Sequence, residues 1–158
     1  MSIDRLTPYG LLALRVIVGG LLALHGWQKA QAPDEFAGYV RSLGVPLHET
    51  AATAAILVEI CVGGLLVVGL LTRLAGTTLA GHMAITWAVA HGSAPLIVDG
   101  KPGINGELAV LYLAAGLALL AVGAGAFSVD AGFARRRRLF DAVPETGARD
   151  VLTNASAR

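Results

Sequence analysis

The sequence predicts an all-α fold, an integral membrane bundle of four transmembrane helices. Of its 158 residues, 55% are hydrophobic and 15% are charged, whereas a soluble domain carries about 25% charged residues. Four apolar segments, each free of proline, approach the length of about 20 residues that a helix needs to cross a bilayer. The net charge of +1 gives no indication of nucleic-acid binding. A single cysteine, Cys61, excludes a disulfide framework.

The four apolar segments lie at residues 9–27, 51–71, 74–91 and 107–127. The short link between the second and third segments predicts a tight antiparallel helical hairpin. The first segment is followed by an A-x-A pattern at residues 30–32, which also occurs at signal-peptide cleavage sites. We nevertheless expect a retained helix, because Arg15 interrupts the apolar core that a signal peptide requires.

The loop at residues 28–50 is predicted to contain a short amphipathic helix that begins at Pro33. Gly44 and Pro46 end the helical pattern. This helix either lies on the membrane surface or packs on the bundle. The loop at residues 92–105 is rich in glycine and proline and should be irregular. The apolar positions of the amphipathic helix, at helical spacing, are Phe36, Tyr39, Val40 and Leu43.

We expect residues 1–130 to form the transmembrane domain and residues 131–158 a basic, polar and mobile cytoplasmic tail. With four spans, both termini lie on one side of the membrane. Six positive residues flank the helices on that side and three on the other. The positive-inside rule therefore predicts a multi-pass protein of the bacterial plasma membrane with both termini cytoplasmic. The block of arginines at 135–138 is then either a stop-transfer flank or a contact for anionic lipid head groups.

Charged and imidazole side chains inside apolar helices are costly and usually face the interior of a bundle. Helical rise at about 1.5 Å per residue places five of them in the outer half: His25, Lys29, Glu59, Glu107 and His91.

Two further polar residues, Arg15 and His82, are expected closer to the cytoplasmic end, at a depth of about 9–12 Å. Side chains in a helix lean toward its N-terminus. Glu59 would therefore lean toward His25, and a His25–Glu59 pair is preferred over an Arg15–Glu59 pair.

The outer polar cluster permits three kinds of chemistry. It could relay protons or hold a quinone head group, it could bind a metal, or it could be a buried network that only stabilises the bundle. We predict no metal site, because the sequence contains neither an H-x-x-x-H nor an H-E-x-x-H motif. Cys61 has no C-x-x-C partner, so the chain cannot run a dithiol cycle by itself.

Several strings of the sequence resemble the DoxX family of small bacterial membrane proteins. The resemblance covers residues 12–130 and includes LALRVIVGGLLALHGWQKA, AAILVEICVGGLLVVGLLTRLAG, NGELAVLYLAAGLALL and FSVDAGF. Its most specific parts are the segments at residues 25–29, 71–73 and 105–107, together with Glu59 followed by two glycines. The resemblance implies a four-helix inner-membrane protein. It also implies a link to quinol oxidation, since relatives include subunits associated with a terminal quinol oxidase and a thiosulfate:quinone oxidoreductase.

These observations lead to a principal expectation and two alternatives. The first is a subunit of, or membrane partner to, a quinone-linked redox system, with quinone as a possible cofactor. The second is a non-catalytic anchor or scaffold for a soluble oxidoreductase, and the third is a small-solute or proton-conducting protein. The expected partners are the lipid bilayer, a soluble or membrane redox protein and, for a homo-oligomer, further copies of the chain. The sequence leaves open whether the protein is an enzyme.

Overall fold

The structure, a computed structural model, describes residues 6–97, 100 and 103–141. The described residues contain six helices and no strand. In chain order these helices are α1 (Thr7–Gln31), α2 (Pro33–Ser42), α3 (His48–Val68), α4 (Thr72–His91), α5 (Glu107–Val122) and α6 (Val129–Asp141).

Two helices within the described residues, α1 and α3, are long and apolar enough to cross a membrane by length and composition. Helix α4 has 20 residues, and α5 is an apolar helix of 16 residues. The fourth apolar segment, predicted at residues 107–127, extends beyond the C-terminal end of α5 at Val122. Gly123 ends α5 with a φ of 81°, a backbone conformation that glycine adopts readily and other residues rarely do. The all-helical prediction is confirmed for the part of the chain that the structure describes.

Helices α1 and α3 pack in close antiparallel contact through glycine. A Cβ atom added at Gly63 would lie 2.6 Å from both the Ala23 nitrogen and the Gly19 carbonyl oxygen. Those atoms belong to the backbone and cannot rotate away, so any side chain at Gly63 would force the two helices apart. The close approach of the backbones is typical of helix pairs that associate through small residues in membranes.

Helices α4 and α5 repeat this arrangement on the other side of the bundle. A Cβ atom at Gly76 would lie 2.8 Å from the Gly116 carbonyl oxygen. The two helix pairs meet around a core of large apolar side chains. Its most deeply buried members are Leu22, Leu66, Leu79 and Leu119.

The short helix α2 packs on α3. Its predicted apolar residues Phe36, Tyr39, Val40 and Leu43 line a cavity against α3 and α4, and Val40 is buried. Half of the Tyr39 side chain remains exposed. Helix α2 is thus a cover packed on the bundle.

The segment after α5 fastens the turn between α3 and α4. The turn occupies residues 69–71, and Leu71 adopts a left-handed φ of 50°. The Asp130 carboxylate accepts hydrogen bonds from the backbone nitrogens of Leu71 at 2.8 Å and Thr72 at 2.9 Å. Asp130 therefore caps the N-terminus of α4 from a distant part of the sequence. A carboxylate at a helix N-terminus is favourable because it accepts hydrogen bonds from free backbone N–H groups and interacts with the helix dipole.

Helix α6 forms the first part of the segment that the sequence predicts to be a mobile tail. The four arginines at 135–138 lie on this helix and are exposed. Ser128 precedes the helix and caps its N-terminus, since its hydroxyl accepts a hydrogen bond from the Ala131 nitrogen at 3.1 Å. The prediction of mobility for residues 142–158, and the charge counts at Arg5 and Lys101, fall outside the described residues.

Candidate functional site

Glu59 is the centre of the polar cluster. Its side chain is 3% exposed, and its Oε1 lies 2.5 Å from Lys29 Nζ and 3.3 Å from His82 Nε2. Close approach of α1 and α3 creates this geometry: a Cβ at Gly26 would lie 2.8 Å from the Glu59 Cβ. Three helices therefore contribute one side chain each to a single buried contact.

The predicted His25–Glu59 pair is wrong. His25 Nδ1 donates to the carbonyl oxygen of Leu21 in its own helix at 2.8 Å. The imidazole meets the Tyr112 ring edge-on, with 6.2 Å between ring centroids. Since Gly26 is the residue that contacts α3, the neighbouring His25 is rotated toward α5, and Lys29 one turn later reaches the carboxylate instead.

His82 contacts Glu59 because the turn between α3 and α4 is placed differently from the prediction. With α3 ending at Val68 and α4 beginning at Thr72, Glu59 lies about 14 Å and His82 about 15 Å from the turn along their helices. The sequence prediction ended the second segment at residue 71 and began the third at residue 74, which put His82 too low. The two side chains are level, and His82 belongs with the principal cluster.

A cavity of about 310 Å³ lies beside Glu59 between α1, α4 and α5, and we call it the polar cavity. All five residues that the sequence assigns to the outer cluster line it. Glu107 is exposed, and the His91 Nδ1 donates to Asn105 Oδ1 at 2.8 Å. The remaining lining residues are Leu22, Met83, Thr86, Gly106, Leu108, Ala109 and Tyr112.

Two residues that line the polar cavity carry unsatisfied polar atoms. Among the residues that the structure describes, neither the Glu59 Oε2 nor the Tyr112 hydroxyl has a hydrogen-bond partner, and both atoms are buried. Buried polar groups are nearly always hydrogen-bonded to protein, water or ligand. Both residues line the polar cavity, and neither atom obtains its partner from the described residues. Sequence reasoning missed Tyr112, although a tyrosine in an otherwise apolar helix usually needs a partner for its hydroxyl.

Asn105 anchors the end of the polar cavity where α4 meets the loop before α5. Its carbonyl oxygen accepts from Trp87 Nε1 at 3.0 Å, and its side-chain amide donates to the His91 carbonyl at 3.2 Å. Gly106 follows with a φ of 74°, and a Cβ there would lie 2.6 Å from the Trp87 ring. The Asn-Gly-Glu segment therefore shapes the cavity and places Glu107 beside it.

A second cavity, of about 430 Å³, lies beneath α2 and is bounded by α3 and α4; we call it the α2 cavity. Three residues line both cavities: Lys29, Thr86 and His91. The Lys29 ammonium that contacts Glu59 also lies 4.8 Å from the centre of the Phe36 ring of α2, a cation–π contact. The buried charge and the cover helix are thus joined through one side chain.

Arg15 is placed outside both cavities, near the turn between α3 and α4. It is fully buried, and its Nη2 donates to the Phe127 carbonyl oxygen. A side chain at Gly69 would overlap the guanidinium. Arg15 therefore holds the segment after α5 against the bundle and does not take part in the Glu59 cluster.

Comparison with known proteins places the chain in a family. The family model described as DoxX matches residues 10–92, which carry α1 to α4 and the Lys29–Glu59–His82 contact. A protein of Haemophilus influenzae, named "Uncharacterized protein", is 32% identical over 142 residues, which cover 85% of this chain and 98% of that protein. No solved structure matches the chain significantly. Together with the two long apolar helices, these similarities indicate a membrane protein. The chain belongs to the DoxX family.

Proposed function

We propose that the chain spans the bacterial plasma membrane four times, with both termini in the cytoplasm. Helices α1 and α3 have the length and hydropathy of spans. The 20 residues of α4 extend about 30 Å, the thickness of the hydrocarbon core. The shorter α5 packs antiparallel along α4 through Gly76 and Gly116. The excess of arginine near the turn after α3 and on α6 supports the orientation.

We further propose that the polar cavity binds the head group of a quinone, and that the protein is the membrane partner of a quinone-linked redox enzyme. The observation that carries this proposal is the pair of buried, unpartnered polar atoms, Glu59 Oε2 and the Tyr112 hydroxyl, on residues lining one cavity. A volume of about 310 Å³ is at the small end of ligand pockets, which run from about 300 to 1,000 Å³.

The chemistry of these atoms fits both oxidation states of a quinone. A quinone carbonyl oxygen accepts hydrogen bonds, and the Tyr112 hydroxyl is a donor that lacks an acceptor. A quinol hydroxyl donates, and the free Glu59 carboxylate oxygen is an acceptor that lacks a donor. Leu22, Met83 and Ala109 line the same cavity and offer apolar surfaces for the ring.

The same groups can handle the protons of a redox reaction. Oxidation of a quinol to a quinone removes two electrons and two protons. Glu59 can receive the two protons one after the other, and the exposed Glu107 at the same cavity offers each of them an exit to water. The electrons require an acceptor, which we assign to the partner oxidoreductase.

The test is binding of ubiquinone without an isoprene tail to the purified protein in detergent, measured by isothermal titration calorimetry. We expect Tyr112→Phe to weaken binding about tenfold, since it removes one hydrogen bond worth about 1.4 kcal/mol. Tyr9→Phe is the matched control, because Tyr9 is exposed near the opposite end of the bundle, and it should bind as the wild type does. If the wild type does not bind, or Tyr112→Phe binds equally well, the proposal is wrong.

A further inference from the structure

The α2 cavity has a composition unlike that of the polar cavity. Its roof is the apolar stripe of α2, and its walls are formed largely by alanine and valine from α3 and α4. The small wall residues are Ala51, Ala54, Ala55 and Ala90. Such walls leave a space suited to a flexible apolar chain.

Three of the polar residues that line the α2 cavity also line the polar cavity. Lys29, Thr86 and His91 line both spaces, and His82, which contacts Glu59, lines the α2 cavity as well. A molecule that fills both spaces would therefore place its polar end near Glu59 and its apolar end beneath α2.

We infer that the α2 cavity receives the isoprenoid tail of the quinone whose head group occupies the polar cavity. This inference rests on the proposed function and adds the position of the tail and the role of α2. The shared boundary at Lys29, Thr86 and His91 argues for one amphiphilic ligand, since an independent apolar molecule would not require polar residues at one end of its site. Helix α2 contacts the site through the Lys29–Phe36 cation–π pair and covers the tail in the α2 cavity.

The experiment compares two probes, ubiquinone with no isoprene unit and ubiquinone with two, on three proteins in the same detergent. Ala54→Phe places a phenyl ring in the α2 cavity, which Ala54 lines as an exposed residue. Ala84→Phe is the matched control, because Ala84 is an exposed helical residue that lines neither cavity. We expect Ala54→Phe to weaken binding of the two-isoprene probe about tenfold, since the buried methylene contacts are lost. Binding of the tail-less probe should stay within about twofold, and Ala84→Phe should bind both probes as the wild type does.

The outcomes separate the two proposals. Failure of the tail-less probe to bind the wild type overturns the proposed function. If that probe binds but Ala54→Phe leaves the two-isoprene affinity unchanged, the tail inference is wrong while the head-group site stands. A phospholipid could instead co-purify with the wild type and be absent from Ala54→Phe. If the two-isoprene probe does not displace that phospholipid, the α2 cavity holds a structural lipid and the inference is overturned.

Discussion

The contact between Lys29 and Glu59 provides a prediction that depends directly on the site geometry. We consider the substitutions Lys29→Met and Glu59→Gln, singly and together. Methionine keeps much of the apolar stem of lysine, and glutamine keeps the shape of glutamate. Each substitution therefore removes a charge with little change in packing.

The expected magnitudes follow from burial. The Glu59 side chain is 3% exposed and Lys29 28% exposed, with 2.5 Å between Nζ and Oε1. Leaving a buried charge without its partner costs about 3–5 kcal/mol, but His82 remains 3.3 Å from the carboxylate. We therefore expect Lys29→Met to lower the free energy of unfolding by about 2 kcal/mol. Glu59→Gln should cost about 1 kcal/mol, because Lys29 can turn toward water.

The double variant reports the interaction itself. If the two residues interact as the structure places them, the combined loss should be about 2 kcal/mol, not the additive 3 kcal/mol. The free energies can be measured by titrating the detergent-solubilised protein with sodium dodecyl sulfate and following helix content by circular dichroism. Lys29→Arg, which keeps the charge, serves as the control and should lose less than Lys29→Met.

Losses that add within about 0.3–0.5 kcal/mol would refute the reasoning. They would mean that Lys29 and Glu59 do not stabilise one another in the folded protein. The assignment of Glu59 to a three-helix contact would then have to be abandoned.

Three further predictions concern packing, capping and topology. Gly63→Ala should destabilise the protein by about 1–3 kcal/mol, because the added Cβ would lie 2.6 Å from the α1 backbone. The control is Gly64→Ala, whose Cβ would have nothing within 4 Å, and which should be neutral or stabilising by about 1 kcal/mol. Equal effects of the two substitutions in the same titration would contradict the packing of α1 on α3. Asp130→Ala should cost about 1–2 kcal/mol through loss of the cap on α4, and an unchanged unfolding free energy would count against that cap. In a cysteine-free background, a membrane-impermeant maleimide added outside intact cells should label Ser93→Cys and not Arg136→Cys, and the reverse pattern would invert the proposed orientation.

The presence of the long helices could be predicted from the sequence, but the residues at which they end could not. Long apolar runs mark α1 and α3 because membrane-spanning helices need them. The turn at residues 69–71 depends on the left-handed conformation of Leu71, which no local pattern indicates. Asp130 caps that turn from a distant part of the chain, so the turn could be placed only once the tertiary structure was known.

The partner of Glu59 could not be predicted for a related reason. Sequence spacing placed His25 and Lys29 on one face of α1, but the rotation of that face depends on how deeply Gly26 packs against α3. Displacement of the turn by a few residues was enough to misplace His82 by several ångströms of helix rise. Tyr112 was overlooked because its ring fits an apolar helix, and its unpartnered hydroxyl becomes evident only in the folded bundle.

Photoaffinity labelling can show whether a quinone head group binds between Glu59 and Tyr112. The protein in native-like lipid discs would be irradiated with an azido-substituted ubiquinone that lacks a tail, and tandem mass spectrometry would locate the adducts. We expect adducts at residues that line the polar cavity on α3 and α5, with labelling suppressed by excess unmodified quinone. Adducts confined to exposed residues that line neither cavity, such as Leu57 and Leu117, or labelling that excess quinone does not suppress, would contradict quinone binding at this site.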